Sequence, residues 1–329
     1  MHSKYNKLSN HTQHRSISSI QAHSDVHQRW SVQEKIDGSN FQIYITRDSV
    51  SYGKRNSMLA SDTKFFGFQE VVAKYSDYIE RIQDNLSPIH GITLYAEIFG
   101  GNVQKRISYT EEKQIKVFDL DILEYPYSEP IRANAKTVKS MFDHLDMADW
   151  LVPTLFVCDS FDEALATNVK RIDTEVGDDS YDPYNNKLIE GVVIKPYDKV
   201  IVTAGSVDPN TGEHYEGGYH VIKKKSEGFK DKEHKKNGPT VTKSSDPIVS
   251  DLRNHFEGYI NDNRVADYIS KEGAFESMDQ LGPYIVGIIA DAREDFEQDY
   301  PEVLTVSKNA QKQIYKVGGV ISSLLKGYM

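Results

Sequence analysis

The fold and the chemistry of this chain are both indicated by one short stretch, EKIDGSN at residues 34–40. It places Lys35 between a predicted strand and the turn at Gly38, on a rigid element that is open to solvent on one side. From residue 41 to residue 46, apolar side chains alternate with others, as in a half-buried strand. A lysine becomes a good nucleophile when burial or nearby cations lower its pKa. The stretch therefore indicates either covalent chemistry at Lys35, through a Schiff base or a phosphoramidate, or a surface Asp-Gly turn.

The composition is that of a folded protein whose charge is unevenly distributed. The chain has 329 residues, 38% of them hydrophobic and 27% charged, which excludes a disordered chain. Its formal net charge of −10 argues against a protein that binds nucleic acid over its whole surface. Residues 159–186 hold eight acids against two basic residues, whereas residues 223–243 hold eight lysines against three acids. A local basic groove therefore remains compatible with the acidic total.

The compartment is indicated by what the sequence lacks. Cys158 is the single cysteine, so the chain forms neither an internal disulfide nor a multi-cysteine zinc site, as expected in a reducing compartment. Residues 1–30 have no apolar core of a secretory signal, and no apolar stretch is long enough to span a membrane. We expect a cytoplasmic protein with no membrane partner, acting as a monomer.

The hydrophobic period changes along the chain, which predicts two domains. Further strands are predicted at residues 92–98, 115–123, 188–195 and 219–226, and one helix at residues 68–82. Three apolar stripes of helical spacing follow, at residues 248–260, 284–296 and 314–325. The sequence thus predicts an α+β domain over residues 1–243 and a small helical domain over residues 244–329.

Three segments place charged side chains in or beside predicted strands. Arg55, which follows Lys54, is able to hold a phosphate with two hydrogen bonds. The alternative is that Lys54 and Arg55 only form the exposed end of a hairpin. Glu97 lies within a strand and needs a partner, either a ribose hydroxyl, a metal or a structural arginine. Phe118 and Asp119 are suited to stack on a base and hold a metal or ribose, or they are a core ring beside a rim acid.

Two later segments complete the set. Glu190 stands at the head of an apolar strand, and Gly191 allows another backbone to approach closely. Lys223 and Lys225 point to the same face of a predicted strand, where they repel each other unless an anion such as a phosphate lies between them. The alternative is an edge strand protected by lysines.

Taken in order, these segments resemble motifs of the covalent nucleotidyltransferases, the polynucleotide ligases and RNA capping enzymes. The matching segments are residues 35–38 for motif I, 54–55 for Ia, 97 for III, 118–119 for IIIa, 190–193 for IV and 223–225 for V. The resemblance is closest to the RNA ligase 2 family, the phage nick-sealing RNA ligases and trypanosome RNA-editing ligases. It covers essentially the whole chain and includes the sequences SNF at residues 39–41 and FFG at residues 65–67. Asp37 departs from this branch, where many members carry histidine.

The resemblance implies a fold and an activity. The fold is an antiparallel-sheet, ATP-grasp-like nucleotidyltransferase domain followed by an all-α domain. The activity is that of an ATP-dependent RNA ligase, which joins 3′-hydroxyl and 5′-phosphate ends through a lysyl-AMP intermediate. Its expected partner is nicked duplex RNA or an RNA-containing hybrid.

The resemblance also implies roles for individual residues. The implied catalytic residues are Lys35 as nucleophile, Glu190, Lys223 and Lys225. The nucleotide is expected to contact Glu34, Lys35, Asn40, Arg55, Glu97 through the ribose, Phe118 through adenine, Lys223 and Lys225. Mg²⁺, which Mn²⁺ is able to replace, is expected at Asp119 and Glu190. The expected RNA contacts are Asn40, Arg55, Arg264, Asp291 and Asp295.

Alternatives remain open. Asp291 and Asp295, four residues apart on one helix face, also fit a solvated acidic face. The lysines of residues 230–243 either track a phosphate backbone or form a basic linker, and residues 200–218 form a loop of unknown function. An alternative function is that of a DNA ligase or a guanylyltransferase. The predicted helical tail disfavours this alternative, because those enzymes usually append a β-barrel. A non-catalytic nucleic-acid-binding relative is disfavoured because the charged motif residues are all retained.

Overall fold

The structure, a computed structural model, divides the chain into two compact units, Met1–Gly228 and Phe229–Met329. It describes residues 4–6, 8–24, 27–101, 103–104, 106–124, 129–178, 188–203, 206–207, 214–215, 218–229 and 247–329. The predicted boundary at residues 243 and 244, and the lysines of residues 230–243, lie outside the described residues. In the part of the chain that the structure describes, no helix is both long enough and apolar enough to cross a membrane.

The first unit is built mainly from strands. They are β1 (Ser9–Asn10), β2 (Trp30–Lys35), β3 (Ser39–Thr46), β4 (Val50–Lys54), β5 (Ser57–Leu59), β6 (His90–Phe99), β7 (Gln114–Glu124), β8 (Ile131–Arg132), β9 (Thr154–Cys158), β10 (Gly191–Pro196), β11 (Val202–Thr203), β12 (Ser206–Val207), β13 (His214–Tyr215), β14 (Gly218–Tyr219) and β15 (Ile222–Lys225). The strand predicted over residues 219–226 is therefore interrupted between β14 and β15. Residues 200–218 were predicted to form a loop, but the described part of this segment, together with Tyr219, forms β11 to β14 as two short antiparallel pairs.

Five helices belong to the first unit and five to the second, within the described ranges. They are α1 (His14–His23), α2 (Phe68–Ala73), α3 (Ser76–Asn85), α4 (Ala135–His144), α5 (Phe161–Leu165), α6 (Pro247–Glu257), α7 (Asp262–Glu272), α8 (Leu281–Asp299), α9 (Lys308–Ile314) and α10 (Gly318–Leu325). The α+β class, the mainly antiparallel sheets and the helical C-terminal unit are confirmed.

Two predicted helices are each divided in two. The helix predicted over residues 68–82 breaks before α3, because Tyr75 stacks on Trp150 with 5.2 Å between ring centroids and the Ser76 hydroxyl donates to the Ala73 carbonyl. The stripe over residues 314–325 is shared by α9 and α10. Gly318 and Gly319, which have low helix propensity, open α10 and do not continue α9.

Two sheets form the framework of the first unit. The first sheet has the order β1-β15-β10-β2-β9, and the second has the order β5-β4-β3-β6-β7-β8. Neighbouring strands are antiparallel except for β1 and β15, which are parallel. The sheets meet where Lys195 of β10 donates to the Phe118 carbonyl of β7.

Each sheet has an apolar face that packs in a core and a face that carries polar side chains. In the second sheet, Phe41, Ile43, Leu94 and Val117 contribute to one core. In the first sheet, Val32, Val192, Ile194 and Ile222 contribute to another. Because side chains alternate between the faces of a strand, the residues between these apolar positions line the opposite faces. The charged motif residues lie among them.

The second unit has a core of its own. Phe256 of α6, Ile288 and Phe296 of α8, Ile314 of α9 and Ile321 of α10 are buried together. The stripes predicted at residues 248–260 and 284–296 are thus apolar helix faces, although α6 ends at Glu257. The helix α7, which was not predicted, begins after Asn261, whose side chain accepts from the Arg264 amide.

Candidate active site

Lys35 and Lys225 are brought together by the register of three strands. Gly191 of β10 pairs with Lys35 of β2 on one side and with Lys225 of β15 on the other. A Cβ atom at Gly191 would lie 2.2 Å from the carbonyl oxygen of Lys224 and 2.8 Å from the Cα atom of Lys225. Only glycine allows this close approach, so Gly191 lets the strands of the two lysines lie on either side of it in the sheet.

Glu190 provides the carboxylate that these two lysines share. Its side chain is 1% exposed, and its Oε2 atom accepts a hydrogen bond from Lys35 Nζ at 2.5 Å. Its Oε1 atom lies 3.2 Å from Lys225 Nζ. A buried carboxylate needs such cationic partners, because leaving it uncompensated would be costly. The Lys35 side chain, which is 21% exposed, therefore pairs with Glu190 and stays partly accessible to solvent.

The alternation of the three lysines on β15 is confirmed. Ile222 is buried in the core on one side of the sheet, and Lys224 reaches that side to donate to the Leu165 carbonyl at 2.7 Å. Lys223 and Lys225 occupy the alternate positions, with Lys223 paired to Val193. The phosphate-binding role of Lys223 and Lys225 stays a prediction.

Glu97 lies in the middle of a polar row on the second sheet. It pairs with Asn40 of β3 on one side and with Lys116 of β7 on the other. A Cβ atom at Gly38 would lie 2.8 Å from Glu97 Cγ, so the motif I glycine lets the chain pass closely over this acid. Burial and the charge of Glu190 raise the pKa of Glu97 to about 8, although Lys35 lowers it. A protonated Glu97 is able to donate as well as accept a hydrogen bond, which suits a ribose hydroxyl.

The raised pKa of Glu97 predicts a pH dependence of stability. The unfolded chain releases this proton near pH 4.5, whereas the folded protein holds it up to about pH 8. Because the folded state binds more protons in this window, the free energy of unfolding should fall as the pH rises, by up to about 1.4 kcal/mol per pH unit. Glu97→Gln should remove this part of the slope in urea unfolding followed between those two pH values. An unchanged slope in Glu97→Gln would assign the dependence to other groups.

Glu34, the residue before the proposed nucleophile, is directed to a different partner. Its carboxylate accepts hydrogen bonds from the Thr174 hydroxyl and from the Glu175 amide, the latter at 3.0 Å. Burial raises its pKa, while these two hydrogen bonds lower it. Glu34 therefore joins β2 to the segment after Ile172, and its predicted contact with the nucleotide stays a prediction.

Asp37 is held by a residue that the sequence analysis did not select. The Arg106 guanidinium donates to both carboxylate oxygens of Asp37, through Nε at 2.9 Å and through Nη2. The Asp37 amide donates to the Tyr109 hydroxyl at 2.8 Å. Arg106 lies outside every motif. The sequence could have pointed to it only through the general rule that a buried acid such as Asp37 needs a cationic partner.

Phe118 is displaced by a β-bulge that no sequence pattern revealed. Tyr95 of β6 pairs with Asp119 and Ala96 pairs with Val117, so Phe118 is the extra residue of β7. A bulge redirects the side chain at which it occurs. The ring is partly exposed and contacts Tyr5 edge to face at 5.1 Å. Its stacking on adenine stays a prediction.

Asp119 is surrounded by partners from three other segments. It accepts a hydrogen bond from the Tyr5 hydroxyl at 2.8 Å and lies 3.3 Å from Arg132 Nη1. Lys195 Nζ, whose pKa is lowered by burial, lies 3.5 Å from its other oxygen. Lys195 ends the strand predicted over residues 188–195 but was not selected as a site residue, because its position in the sequence gives no sign that its side chain reaches β7.

The fit of the site to a divalent metal is limited by these partners. Glu190 and Asp119 each already contact two cationic side chains, which would repel a metal cation. Among the residues that the structure describes, no group of three or more His, Cys, Asp or Glu side chains is arranged as a metal site. Mg²⁺ commonly takes one or two carboxylates together with substrate phosphates. The two carboxylates thus fit a metal that enters with a triphosphate better than a resident ion.

Arg55 and Asn40 are placed on neighbouring parts of the second sheet. Asn40 is the second residue of β3, and Arg55 lies in the turn between β4 and β5. Both are partly exposed. Their contacts with the nucleotide and with an RNA end stay predictions.

The three predicted RNA contacts of the second unit bind one another. Arg264 is 5% exposed, and its guanidinium donates to Asp291 at 2.6 Å and to Asp295 at 2.8 Å. Lys271 also pairs with Asp291, and these cations hold the pKa of Asp291 well below its usual range. The cluster joins α7 to α8, which replaces the solvated acidic face considered above. Contact of Arg264 with RNA would require this cluster to open, and stays a prediction.

Comparisons with known proteins identify the family. A curated relative, the mitochondrial RNA-editing ligase 2 of Trypanosoma brucei brucei, is 26% identical over 105 residues, and the match covers 30% of this chain. The chain spans a quarter of that relative's length.

Similar solved structures include a Naegleria gruberi RNA ligase mutant with ATP and Mn, at TM-score 0.46 and 18% identity, covering 69% of this chain and 57% of that one. Another is the Naegleria gruberi RNA ligase with PPi, at TM-score 0.45 and 19% identity, covering 69% and 57%. Residues 28–209, more than half of the chain, match the family model described as RNA ligase, and the chain belongs to the RNA ligase family.

Proposed function

We propose that this protein is an ATP-dependent RNA ligase that seals nicks in duplex RNA or RNA-containing hybrids as a monomer. The observation that carries the proposal is the placement of Lys35, Glu190 and Lys225 around Gly191 in a member of the RNA ligase family. A solvent-facing lysine with a carboxylate at 2.5 Å has both a nucleophile and a proton acceptor in place.

The first step is the transfer of AMP to the protein. Lys35 gives a proton to Glu190, and its nitrogen forms a bond to the α-phosphorus of ATP. The bond from that phosphorus to the bridging oxygen breaks, and pyrophosphate leaves with the electron pair. Negative charge that develops on the α-phosphate oxygens is stabilised by Lys223 and Lys225, since such catalysis depends mainly on positioning and electrostatics.

The second and third steps move AMP and then release it. A 5′-phosphate oxygen attacks the phosphorus of the lysyl-adenylate and an adenylylated RNA end forms. The bond to Lys35 nitrogen breaks, and that nitrogen keeps the electron pair and takes back the proton from Glu190. The 3′-hydroxyl then attacks the 5′-phosphorus, loses its proton, and displaces AMP as the phosphodiester forms. Arg55 and Asn40 bind the 5′-phosphate end in this proposal, because a guanidinium holds a phosphate with two parallel hydrogen bonds.

Different residues around the site bind different parts of the nucleotide in this proposal. Glu97 holds the ribose hydroxyls, and Phe118 stacks on the adenine. Mg²⁺, or Mn²⁺ in its place, would be held by Glu190 and Asp119 with the phosphate oxygens, and it would neutralise charge on the triphosphate. The names of the compared proteins, an RNA-editing ligase and an RNA ligase with ATP and Mn, are in keeping with these substrates.

The proposal is tested by incubating the protein with α-labelled ATP and Mg²⁺, and then with a nicked RNA duplex that carries a 5′-phosphate. We expect a protein-bound label that the nicked duplex discharges, together with sealed RNA and free AMP. A nick without the 5′-phosphate should leave the label on the protein. Absence of any label would refute the proposal, labelling by GTP alone would indicate a guanylyltransferase, and sealing of DNA but not RNA would indicate a DNA ligase.

A further inference from the structure

Arg132 of β8, which lies outside all six motifs, is the centre of a buried charge cluster. Its side chain is 6% exposed. Its Nε donates to Asp121 Oδ1, its Nη2 reaches Asp121 Oδ2 at 3.4 Å, and its Nη1 reaches Asp119 at 3.3 Å. One guanidinium therefore divides its donors between two neighbouring carboxylates of β7. Both acids are buried, so losing its contact with the guanidinium would leave either carboxylate with less compensating charge, which is costly in the protein interior.

Three tyrosine rings surround the same guanidinium. The carbon at its centre lies 4.7 Å from the ring centroid of Tyr5, 4.8 Å from that of Tyr95 and 4.6 Å from that of Tyr219. Such distances are those of cation–π contacts, which are stronger where the cation is desolvated. The rings come from the chain before β1, from β6 and from β14. Arg132 thus unites segments that are far apart in the sequence.

The cluster reaches the proposed nucleotide site through Asp119. Tyr5 donates to the Asp119 oxygen that faces Arg132, and Lys195 approaches the other oxygen at 3.5 Å. Lys195 Nζ also donates to the Phe118 carbonyl, at the bulge of β7. The positions of the Asp119 carboxylate, the Lys195 ammonium and the Phe118 main chain are therefore linked by direct contacts that converge on Arg132.

Loss of the guanidinium would change the charge balance of this cluster. Asp119 would keep Lys195, 3.5 Å from its Oδ1 atom, as its remaining cationic contact in this cluster. Asp121 would lose the guanidinium that contacts both of its carboxylate oxygens. The Asp119 carboxylate would then turn toward Lys195. This change moves groups beside the site without touching Lys35.

We propose that Arg132 is a positioning residue for nucleotide transfer, whose guanidinium fixes Asp119 and, through Lys195, the Phe118 bulge in the geometry that the reaction needs. The inference deepens the proposed ligase function and rests on it. Displacements of about 1 Å at a reacting centre are able to cost on the order of 100-fold in rate. The effect of Arg132 should therefore be seen in the rate constant of the chemical step.

The test is single-turnover labelling of the full chain with saturating α-labelled ATP and Mg²⁺. Arg132→Lys keeps the charge but removes the forked donors and most of the contact with the three rings. We expect its rate constant to fall at least tenfold while the final labelled fraction stays near that of the wild type. A purely structural role predicts the opposite, a smaller labelled fraction that reacts at the wild-type rate constant.

A matched control and a milder variant keep the test decisive. Arg81→Lys alters an arginine of the same unit that donates to the Leu145 and Asp146 carbonyls, and it should keep the wild-type rate constant. Tyr219→Leu removes one ring and leaves both carboxylate contacts, so it should slow labelling by a few-fold. This milder variant tests the inference even if Arg132→Lys does not fold. Equilibrium binding of labelled ATP without Mg²⁺ provides a readout that is independent of turnover, and it should weaken in Arg132→Lys and not in Arg81→Lys.

A double substitution identifies the route of the effect. If Arg132 acts through Asp119, the pair Arg132→Lys and Asp119→Asn should be no slower than Asp119→Asn alone. Effects that multiply would overturn this route, and a wild-type rate constant in both Arg132→Lys and Tyr219→Leu would overturn the inference as a whole. Failure of the wild-type protein to take up label is a different outcome, because it refutes the proposed function.

Discussion

Replacing Lys35 with arginine is expected to abolish covalent labelling of the protein by α-labelled ATP. Arginine keeps the positive charge beside Glu190, where Lys35 Nζ now lies 2.5 Å from Oε2, so the buried carboxylate keeps a partner. A guanidinium does not lose its proton in proteins, and it therefore offers no lone pair to the α-phosphorus. The substitution separates the electrostatic role of Lys35 from its role as nucleophile. Labelling followed by denaturing electrophoresis should show no adenylated protein.

Two measurements make this result specific to position 35. Lys224→Arg is the matched control, because Lys224 lies on β15 of the same sheet but donates to the Leu165 carbonyl on the other side of that sheet. It should be labelled as the wild type is. Non-covalent binding of ATP to Lys35→Arg should stay within a few-fold of the wild type, since the cation is retained. Normal labelling of Lys35→Arg would place the nucleophile elsewhere and would remove the basis of the proposed mechanism.

The sequence was sufficient to predict those parts of the site that depend on strand alternation. Lys223 and Lys225 were placed on one face because side chains alternate with a period of two, and Lys224 on the other face follows the same rule. Gly191 was expected to permit a close approach, and it pairs with both Lys35 and Lys225. These features are local, so the pattern of residue types contains them.

Features that depend on long-range contacts were not predictable in this way. The bulge at Phe118 shifts the register between β6 and β7, and it depends on how two strands pair and not on either sequence alone. Arg106 reaches Asp37 from 69 residues away, and Arg132 reaches Asp121 on the paired strand β7. Nothing near either arginine in the sequence marks it as the partner of that acid. Arg264 was expected at a surface, but its burial follows from the packing of α7 against α8.

The same limit applies to helix boundaries. Residues 68–82 have one continuous apolar period, yet the chain turns at Tyr75 because its ring stacks on Trp150 and its hydroxyl accepts from the Ile115 amide. Tertiary contacts of this kind outweigh helix propensity, which amounts to less than about 1 kcal/mol per ordinary residue. Periodicity therefore located the helical region correctly and gave no sign of its interruption.

Replacing Glu190 with glutamine is expected to slow self-adenylylation by about 100-fold to 10,000-fold, the range typical of a lost general base. Glutamine keeps the size of the side chain but accepts no proton from Lys35, and it no longer balances the charges of Lys35 and Lys225. The two ammonium groups then face each other across an uncharged side chain. The rate constant should be measured in single turnovers with saturating ATP and Mg²⁺, as for the other variants.

The pH dependence of the residual rate distinguishes proton acceptance from a merely structural pairing. In Glu190→Gln, Lys35 must lose its proton to solvent, so the residual rate should rise by close to tenfold per pH unit until Lys35 is neutral. The wild type should rise less steeply, because its proton acceptor lies within the site. Glu112→Gln is the control, since Glu112 forms an exposed pair with Lys74 at 2.6 Å and should leave the rate unchanged. A loss below tenfold, with the wild-type pH profile, would mean that Glu190 only holds Lys35 in place, and the proton would then have to leave Lys35 by another route.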